Sequence, residues 1–218
     1  MRVMMRRTPI WNTVHAISRI TAAILWDLKV WQTEYVPTDG PAILVCNHQS
    51  FLDPVMVALR LYRPVSYFAR SDLFNNPAFG WFIRSLNAFP VRRGEADIGA
   101  LRQALRCLAD GNLLCFFAEG HRTPDGEIGP IQKGITLLIR KSRVPVIPVV
   151  IDGSFDALPR HRWVQDKPVR VLFGPPLDVQ DRSADEIIRN IDVTFRSMQA
   201  RLRAWQALAR KGYRPPPP

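Results

Sequence analysis

The stretch NHQSFLD (47–53) places polar residues between two strongly apolar segments. His48 precedes Asp53 by five residues, and a carboxylate that orients an imidazole ring and stabilises its protonated form makes that ring a base. His48 can then take a proton from a hydroxyl nucleophile, while Asn47, at the end of a predicted strand, pins the loop. The alternative is structural. Asp53 stands directly before Pro54, which is typical of a helix N-cap followed by proline at the first helical position.

A second polar stretch, AEGHRTPDGEIGPIQKG (118–134), also follows an apolar run. Glu119 comes directly after that run, and Gly120 permits a backbone angle that other residues avoid. Arg122 has the planar fork that binds oxyanions with two hydrogen bonds. The alternative for this stretch is a flexible surface loop with a tight turn at Asp125.

A third stretch, FPVRRGE (89–95), puts Arg92 and Arg93 after a short predicted strand. Paired arginines on a surface are usually solvated. At a strand end that faces the other two polar stretches, one of them can hold a phosphate monoester.

Strand and helix patterns alternate along the chain, which predicts a single α/β domain with a largely parallel central sheet flanked by helices. The segments predicted as strands are 30–36, 41–47, 63–69, 87–91, 112–118, 144–151 and 169–174, and those predicted as helices between them are 54–62, 76–87, 96–110 and 135–143. Ligands of open α/β sheets gather beyond the carboxyl ends of the strands. We therefore expect the three polar stretches to converge on one cleft.

The two ends of the chain are predicted as helices outside this core. We expect an N-terminal amphipathic helix in 1–31, the α/β core in 32–182, and a long C-terminal helix with a proline-rich tail in 183–218. Ser183 and Glu186 fit a capping box at the start of the last helix. Its apolar positions are Ile188, Ile191, Phe195, Met198, Leu202 and Trp205.

The N-terminal helix is predicted to begin at Thr8 and Pro9, and its charged residues argue against a transmembrane span. Its apolar positions are Ile10, Val14, Ile17, Ile24, Leu28 and Trp31. Trp11 and Trp26 are available for a membrane interface. The helix either lies on a membrane surface or packs on the core, and the sequence leaves both open.

The charge balance, 30 Lys and Arg against 19 Asp and Glu, gives a net charge of +11. Such a surface favours polyanions, namely nucleic acid, anionic lipid headgroups or an acidic protein. The basic residues form no recognisable nucleic-acid module, so no nucleic-acid partner is predicted. The three cysteines, Cys46, Cys107 and Cys115, lie in apolar segments without CxxC spacing, which predicts buried reduced thiols and a reducing cytosolic compartment.

Four blocks in order resemble the glycerolipid acyltransferase family, and within it the 1-acylglycerol-3-phosphate acyltransferases. They are NHxxxxD at Asn47–Asp53, an FPVxR-type block at Phe89–Arg93, FxEGxR at Phe117–Arg122 and VPVIPV at Val144–Val149. The resemblance runs from Glu34 to Gly153. It departs from the family at Ala118 and His121, where proline and threonine are common.

The resemblance implies a role for each matching residue. His48 would be the general base that deprotonates the acceptor hydroxyl, and Asp53 would orient it. Arg93 would bind the phosphate of the acceptor. The remaining residues implied in substrate binding are Asn47, Arg70, Glu119, Gly120 and Arg122.

The implied reaction moves a fatty acyl group from acyl-coenzyme A or acyl carrier protein to the hydroxyl of a lysophospholipid, directly and without a cofactor or metal. The implied acceptor is 1-acylglycerol-3-phosphate, and the implied location is the cytoplasmic, inner face of the cell membrane. Three alternatives stay open: another lysolipid acceptor such as lyso-ornithine lipid, a non-catalytic protein that binds anionic membranes, and a lipid or thioester hydrolase. The hydrolase alternative is disfavoured because the sequence contains no GxSxG nucleophile motif.

Overall fold

The computed structural model describes residues 9–91, 97–159 and 163–212. In chain order, its helices are α1 (Pro9–Trp26), α2 (Asp53–Ala58), α3 (Pro77–Ser85), α4 (Ile98–Ala109), α5 (Gly134–Ser142), α6 (Ser154–Ala157) and α7 (Ala184–Arg210). Its strands are β1 (Lys29–Trp31), β2 (Ala42–Cys46), β3 (Val65–Arg70), β4 (Ala88–Val91), β5 (Leu113–Phe117), β6 (Val146–Asp152) and β7 (Arg170–Phe173).

Within the described ranges, seven strands form one sheet in the order β1-β7-β6-β2-β5-β3-β4. The five strands from β6 to β4 run parallel to one another, and β1 runs parallel to β7. Only the β6–β7 pair in this part of the chain is antiparallel. The prediction of a single α/β domain with a largely parallel sheet is confirmed.

Strand β2 lies in the middle of the sheet, and all five of its residues are buried. Ile43 and Val45 point to one apolar layer, whereas Leu44 and Cys46 point to the other. A strand covered on both faces needs an unbroken apolar run instead of alternation, which is why AILVC has no polar residue.

Helices cover both faces of the sheet. Helices α4, α5 and α7 pack on one face through residues such as Leu108, Leu138 and Phe195. Helices α1 and α2 cover the other face, where Trp26 and Met56 are buried. The polar loops at the carboxyl ends of the central strands therefore lie at the edge of a sheet that helices cover on both faces.

The predicted α7 capping box is confirmed: the Ser183 hydroxyl accepts from the Glu186 amide, and the Glu186 carboxylate accepts from the Ser183 amide. The first buried apolar residue of the helix is Ile187, and the predicted Ile188 is only half-buried. All three cysteines are buried and free, as predicted.

Three boundaries predicted for the first third of the chain are wrong. Segment 30–36 is not one strand: β1 ends at Trp31, and Thr33–Tyr35 forms a 3-10 turn after Gln32, which adopts a left-handed conformation with φ of 61°. The N-terminal helix ends at Trp26 instead of reaching residue 31, because Lys29–Trp31 pairs with β7. Helix α2 stops at Ala58, short of the predicted end at residue 62.

Helix α1 packs on the core through a different face from the one predicted. Trp11 and Trp26 are buried, so they are not available for a membrane interface. The most exposed aliphatic residues of α1 are Ile17, Ile20 and Ile24, at 59%, 62% and 73% of their full accessible surface. In the ranges that the structure describes, no helix has the length and hydropathy needed to cross a membrane.

The turn that follows β6 depends on a glycine. Gly153 has a φ of +93°, and a Cβ atom at this position would lie 2.2 Å from the carbonyl oxygen of Pro168. Both the backbone angle and the space therefore exclude a side chain. The next residue, Ser154, begins α6 at the carboxyl end of β6.

We predict that Gly153→Ala lowers the free energy of unfolding by about 1–3 kcal/mol for the left-handed backbone, with a further loss from the collision. Gly40→Ala is the matched control, because Gly40 has a φ of +78° and no atom within 4 Å of the added Cβ. Urea unfolding measures both variants. Equal losses would show that the Pro168 carbonyl moves aside without penalty.

Candidate active site

Three adjacent strands deliver polar side chains to one edge of the sheet. The order β6-β2-β5 brings together Ser154 after β6, the loop 47–53 after β2, and Glu119 after β5. Their sequence separations are large, but parallel strands in register place their carboxyl ends side by side. The convergence of the first two predicted stretches is confirmed.

His48 and Asp53 form a hydrogen-bonded pair, with 2.8 Å between Nδ1 of the imidazole and Oδ2 of the carboxylate. The imidazole also stacks on Phe117, with the ring centroids 4.1 Å apart. The His48 side chain keeps 14% of its exposure, whereas Asp53 has none. Because Nδ1 is held by Asp53, Nε2 is the nitrogen that remains for a substrate proton.

The Asp53 carboxylate does not cap α2, and the N-cap prediction is wrong. Helix α2 begins at Asp53 itself, and no side chain caps its first turn. Oδ2 instead accepts from the backbone amides of Gln49 and Ser50, at 2.6 and 2.7 Å. Oδ1 accepts from the Ser154 hydroxyl at 2.6 Å. The carboxylate is therefore bound both by the backbone of loop 47–53 and by Ser154, which follows the neighbouring strand β6.

Asn47 fastens the loop to the sheet. Its side-chain amide donates to the carbonyl of Ile151 at 2.9 Å and accepts from the amide of the same residue at 2.7 Å. The predicted pinning role is what these bonds perform. Asn47 is fully buried, and its predicted part in substrate binding stays a prediction.

Glu119 holds the backbone of the same loop from the other side. Its two carboxylate oxygens accept from the amides of His48 and Gly129, at 2.9 and 3.0 Å. Burial raises the pKa of Glu119, and these two hydrogen bonds offset part of that rise. A Cβ atom at Gly129 would lie 2.9 Å from the Glu119 carboxylate, so a larger residue there would have to displace that carboxylate.

A cavity of about 500 Å³ opens beside His48. Its walls are largely apolar, and its large apolar lining residues are Phe68, Val91, Ile98, Leu101, Phe116, Phe117, Leu137 and Leu138. Arg70, Glu119, Gly120 and His121 also line it. This volume lies in the range of sites that enclose most of a small ligand. Within the described part of the chain, no cluster of three or more His, Cys, Asp or Glu could hold a metal ion.

The predicted arginines have different surroundings. Arg70 ends β3 at the cavity and pairs with Asp72. The Arg122 guanidinium lies over the ring of Phe51, 3.6 Å from its centroid, and so links the loop after β5 to the loop after β2. Arg93 lies outside the described residues, so its predicted contact with a phosphate stays a prediction.

Two site residues were missed by sequence reasoning. Ser154 bonds Asp53, and Gln49 donates from Nε2 to the carbonyl of Gly126 at 2.7 Å. The only signal for Ser154 was its position: a small polar residue just after a buried strand and a glycine. Gln49 lies inside the NHxxxxD motif, but its side chain contacts the loop after β5 and the start of α6, which the motif does not predict.

We predict that Glu119→Gln lowers the free energy of unfolding at neutral pH by about 1–3 kcal/mol, because the new amide group must face one of two backbone N–H donors. The variant also removes a titration. With a raised pKa, the folded protein keeps the Glu119 proton to higher pH than the unfolded chain. The resulting stabilisation is full below the ordinary value of 4.5 and is lost as the pH rises through the raised one.

The wild-type free energy of unfolding minus that of Glu119→Gln should therefore fall with rising pH and become constant above the raised pKa. Urea unfolding of both proteins between about pH 4 and pH 7 measures this difference. A difference that grows with pH would mean that the hydrogen bonds from the two backbone amides lower the pKa of Glu119 by more than burial raises it.

Comparison with known proteins agrees with this geometry. A family model described as acyltransferase matches residues 27–152. A chloroplastic 1-acyl-sn-glycerol-3-phosphate acyltransferase of Brassica napus is 29% identical over 172 residues, which are 75% of this chain and 50% of that protein. A Bacillus subtilis protein named 1-acyl-sn-glycerol-3-phosphate acyltransferase is 24% identical over 75% of this chain and 80% of its own length.

The crystal structure of the 1-acyl-sn-glycerophosphate (LPA) acyltransferase PlsC from Thermotoga maritima superposes with a TM-score of 0.77 at 28% identity. The match covers 88% of this chain and 79% of that one. The chain spans about half the length of the plant relatives that it matches. Because the family model covers more than half of the chain, and its residues include the His48–Asp53 pair, the chain belongs to the acyltransferase family.

Proposed function

We propose that the protein transfers a fatty acyl group from a thioester to the hydroxyl of a lysophospholipid, with 1-acylglycerol-3-phosphate as the acceptor and phosphatidic acid as the product. One observation carries the proposal: the His48 imidazole is fixed through Nδ1 on a buried carboxylate at the wall of an apolar cavity. This arrangement supplies a base beside a space that suits an acyl chain.

The reaction then needs no covalent enzyme intermediate. Nε2 of His48 takes the proton of the acceptor hydroxyl as its oxygen attacks the thioester carbonyl carbon. The tetrahedral intermediate collapses with cleavage of the carbon–sulfur bond, and the departing thiolate recovers the proton from the imidazolium. Asp53 stabilises the imidazolium between these two steps, as the carboxylate of a catalytic triad does.

The acyl donor is acyl-coenzyme A or acyl carrier protein, both of which are anionic. The net charge of +11 favours the approach of either one. The acyl chain would lie against the aromatic and aliphatic walls of the cavity, such as Phe68, Leu101 and Phe116. An apolar chain gains free energy from leaving water there.

The acceptor is assigned from the relatives and from the arginines. Proteins of Brassica napus and Bacillus subtilis that resemble this chain are named for action on 1-acyl-sn-glycerol-3-phosphate. Arg93 would hold the acceptor phosphate, and Arg70, Glu119, Gly120 and Arg122 would shape the site around it. Lyso-ornithine lipid or another lysolipid is the alternative acceptor.

A lysolipid enzyme must work at a membrane surface, and α1 offers a contact with it. Ile17, Ile20 and Ile24 project from the helix away from the buried Trp11 and Trp26. Exposed aliphatic residues on one face of a helix favour binding in the plane of the lipid interface. We place the protein at the inner face of the cell membrane, bound peripherally.

We predict that purified protein releases free thiol from acyl-coenzyme A or acyl carrier protein donors only when a lysolipid acceptor is present. His48→Ala should lower kcat by about 10²–10⁴-fold, because it removes the base. A thiol-reactive dye measures the rate, and circular dichroism checks the fold. The matched control is His15→Ala, since the His15 ring contacts the Ala58 carbonyl on α2 and not the site.

The same assay decides among the alternatives. Comparing kcat/KM across acceptors identifies the lysolipid, and 1-acylglycerol-3-phosphate is expected to give the highest value. Thiol release without any acceptor would indicate a hydrolase. Vesicle binding without turnover on any donor and acceptor would indicate a non-catalytic protein, and full activity of folded His48→Ala would refute the role of the base.

For membrane binding, we predict that Ile20→Asp weakens cosedimentation with phosphatidylglycerol vesicles by about tenfold or more. The substitution replaces an aliphatic side chain that would enter the lipid with a negative charge. Val193→Asp on α7 is the control, since Val193 is equally exposed but lies on another helix. Equal loss in both variants would assign the effect to charge alone, and no loss in either would refute the role of α1.

A further inference from the structure

We propose that Ser154 is a positioning residue for the catalytic base: its hydroxyl fixes the Asp53 carboxylate and, through it, the imidazole of His48. The proposal rests on the proposed role of His48. It adds a third strand, β6, to the two whose loops supply His48 and Glu119.

The two oxygens of Asp53 have different surroundings. Oδ2 accepts from three donors, namely Nδ1 of His48 and the amides of Gln49 and Ser50. Among the contacts of the described residues, Oδ1 has one donor, the Ser154 hydroxyl at 2.6 Å. The loop alone therefore holds one oxygen, and Ser154 decides where the other lies and how the carboxylate plane is turned.

Ser154 has two acceptors within reach but only one proton to donate. Its oxygen lies 2.6 Å from Oδ1 of Asp53 and 3.3 Å from Oε1 of Gln49. The shorter distance assigns the proton to Asp53. Gln49 cannot turn its amide group around to donate to Ser154, because its Nε2 is bound to the Gly126 carbonyl at 2.7 Å.

The hydroxyl itself has little freedom to move. Ser154 is fully buried and begins α6 directly after Gly153, whose left-handed turn is packed against the Pro168 carbonyl. The backbone amide of Phe155, the next residue, donates to Oε1 of Gln49 at 3.4 Å, so Gln49 is bonded to the backbone beside Ser154 as well. A donor with fixed position and one available proton is suited to orienting a charged acceptor.

The test compares Ser154→Ala with wild type and with His48→Ala in the thiol-release assay. We expect kcat to fall about 10- to 100-fold as the ring loses its alignment, with KM for donor and acceptor changed by less than about twofold. The downfield proton signal of the His48 Nδ1–H in nuclear magnetic resonance should shift or broaden. Ser154→Thr, which keeps the hydroxyl, should recover most of the rate.

Ser66→Ala is the matched control, because Ser66 is also fully buried but lies on β3 against Cys107. It should leave kcat and the proton signal unchanged. If Ser154→Ala does not fold, Ser154→Cys replaces it, since a thiol has nearly the same shape and is a weak donor. We expect the same fall in kcat.

The outcomes separate this proposal from the proposed function. A folded Ser154→Ala or Ser154→Cys with wild-type kcat and an unchanged proton signal, alongside an inactive His48→Ala, overturns the role of Ser154 and leaves the base in place. A rise in KM at constant kcat overturns it as well. A wild type without turnover overturns the proposed function, and the proton signal then still tests whether Ser154 orients the pair.

Discussion

The site depends on the burial of one carboxylate. Asp53 has no exposed surface, and four donors surround it: the His48 ring, the amides of Gln49 and Ser50, and the Ser154 hydroxyl. A charge removed from water is tolerated only when such partners replace the lost solvent. The loop must therefore fold tightly around the Asp53 carboxylate to supply these donors. The carboxylate in turn keeps the His48 ring in one orientation.

The second carboxylate, Glu119, is buried in the same way but binds different groups. Asp53 holds the ring of His48, whereas Glu119 holds its backbone amide. Asn47 anchors the preceding residue to Ile151 on β6. His48 is thus held in place from both neighbours of β2, by Glu119 after β5 and, through Asn47, by the backbone of β6.

The sequence predicted the order of strands and helices and the pairing of His48 with Asp53, because apolar runs and a motif of fixed spacing are local signals. It could not predict that Ser154 completes the pair, since that contact joins residues 101 positions apart through strand order. Boundaries failed where a single backbone angle decides them, as at Gln32. The buried face of α1 was mistaken because tryptophans suit both a core and a lipid interface.

The Gly126 carbonyl accepts hydrogen bonds from Gln49 and, at 3.4 Å, from Gln199 on α7. Gln199 also approaches Asp152, and Arg203 on the same helix pairs with Glu127. Translation adds the residues of α7 after every residue of the candidate site. During translation the loops after β6, β2 and β5 are therefore made first, and the contacts of α7 with Gly126, Glu127 and Asp152 form only when that helix docks.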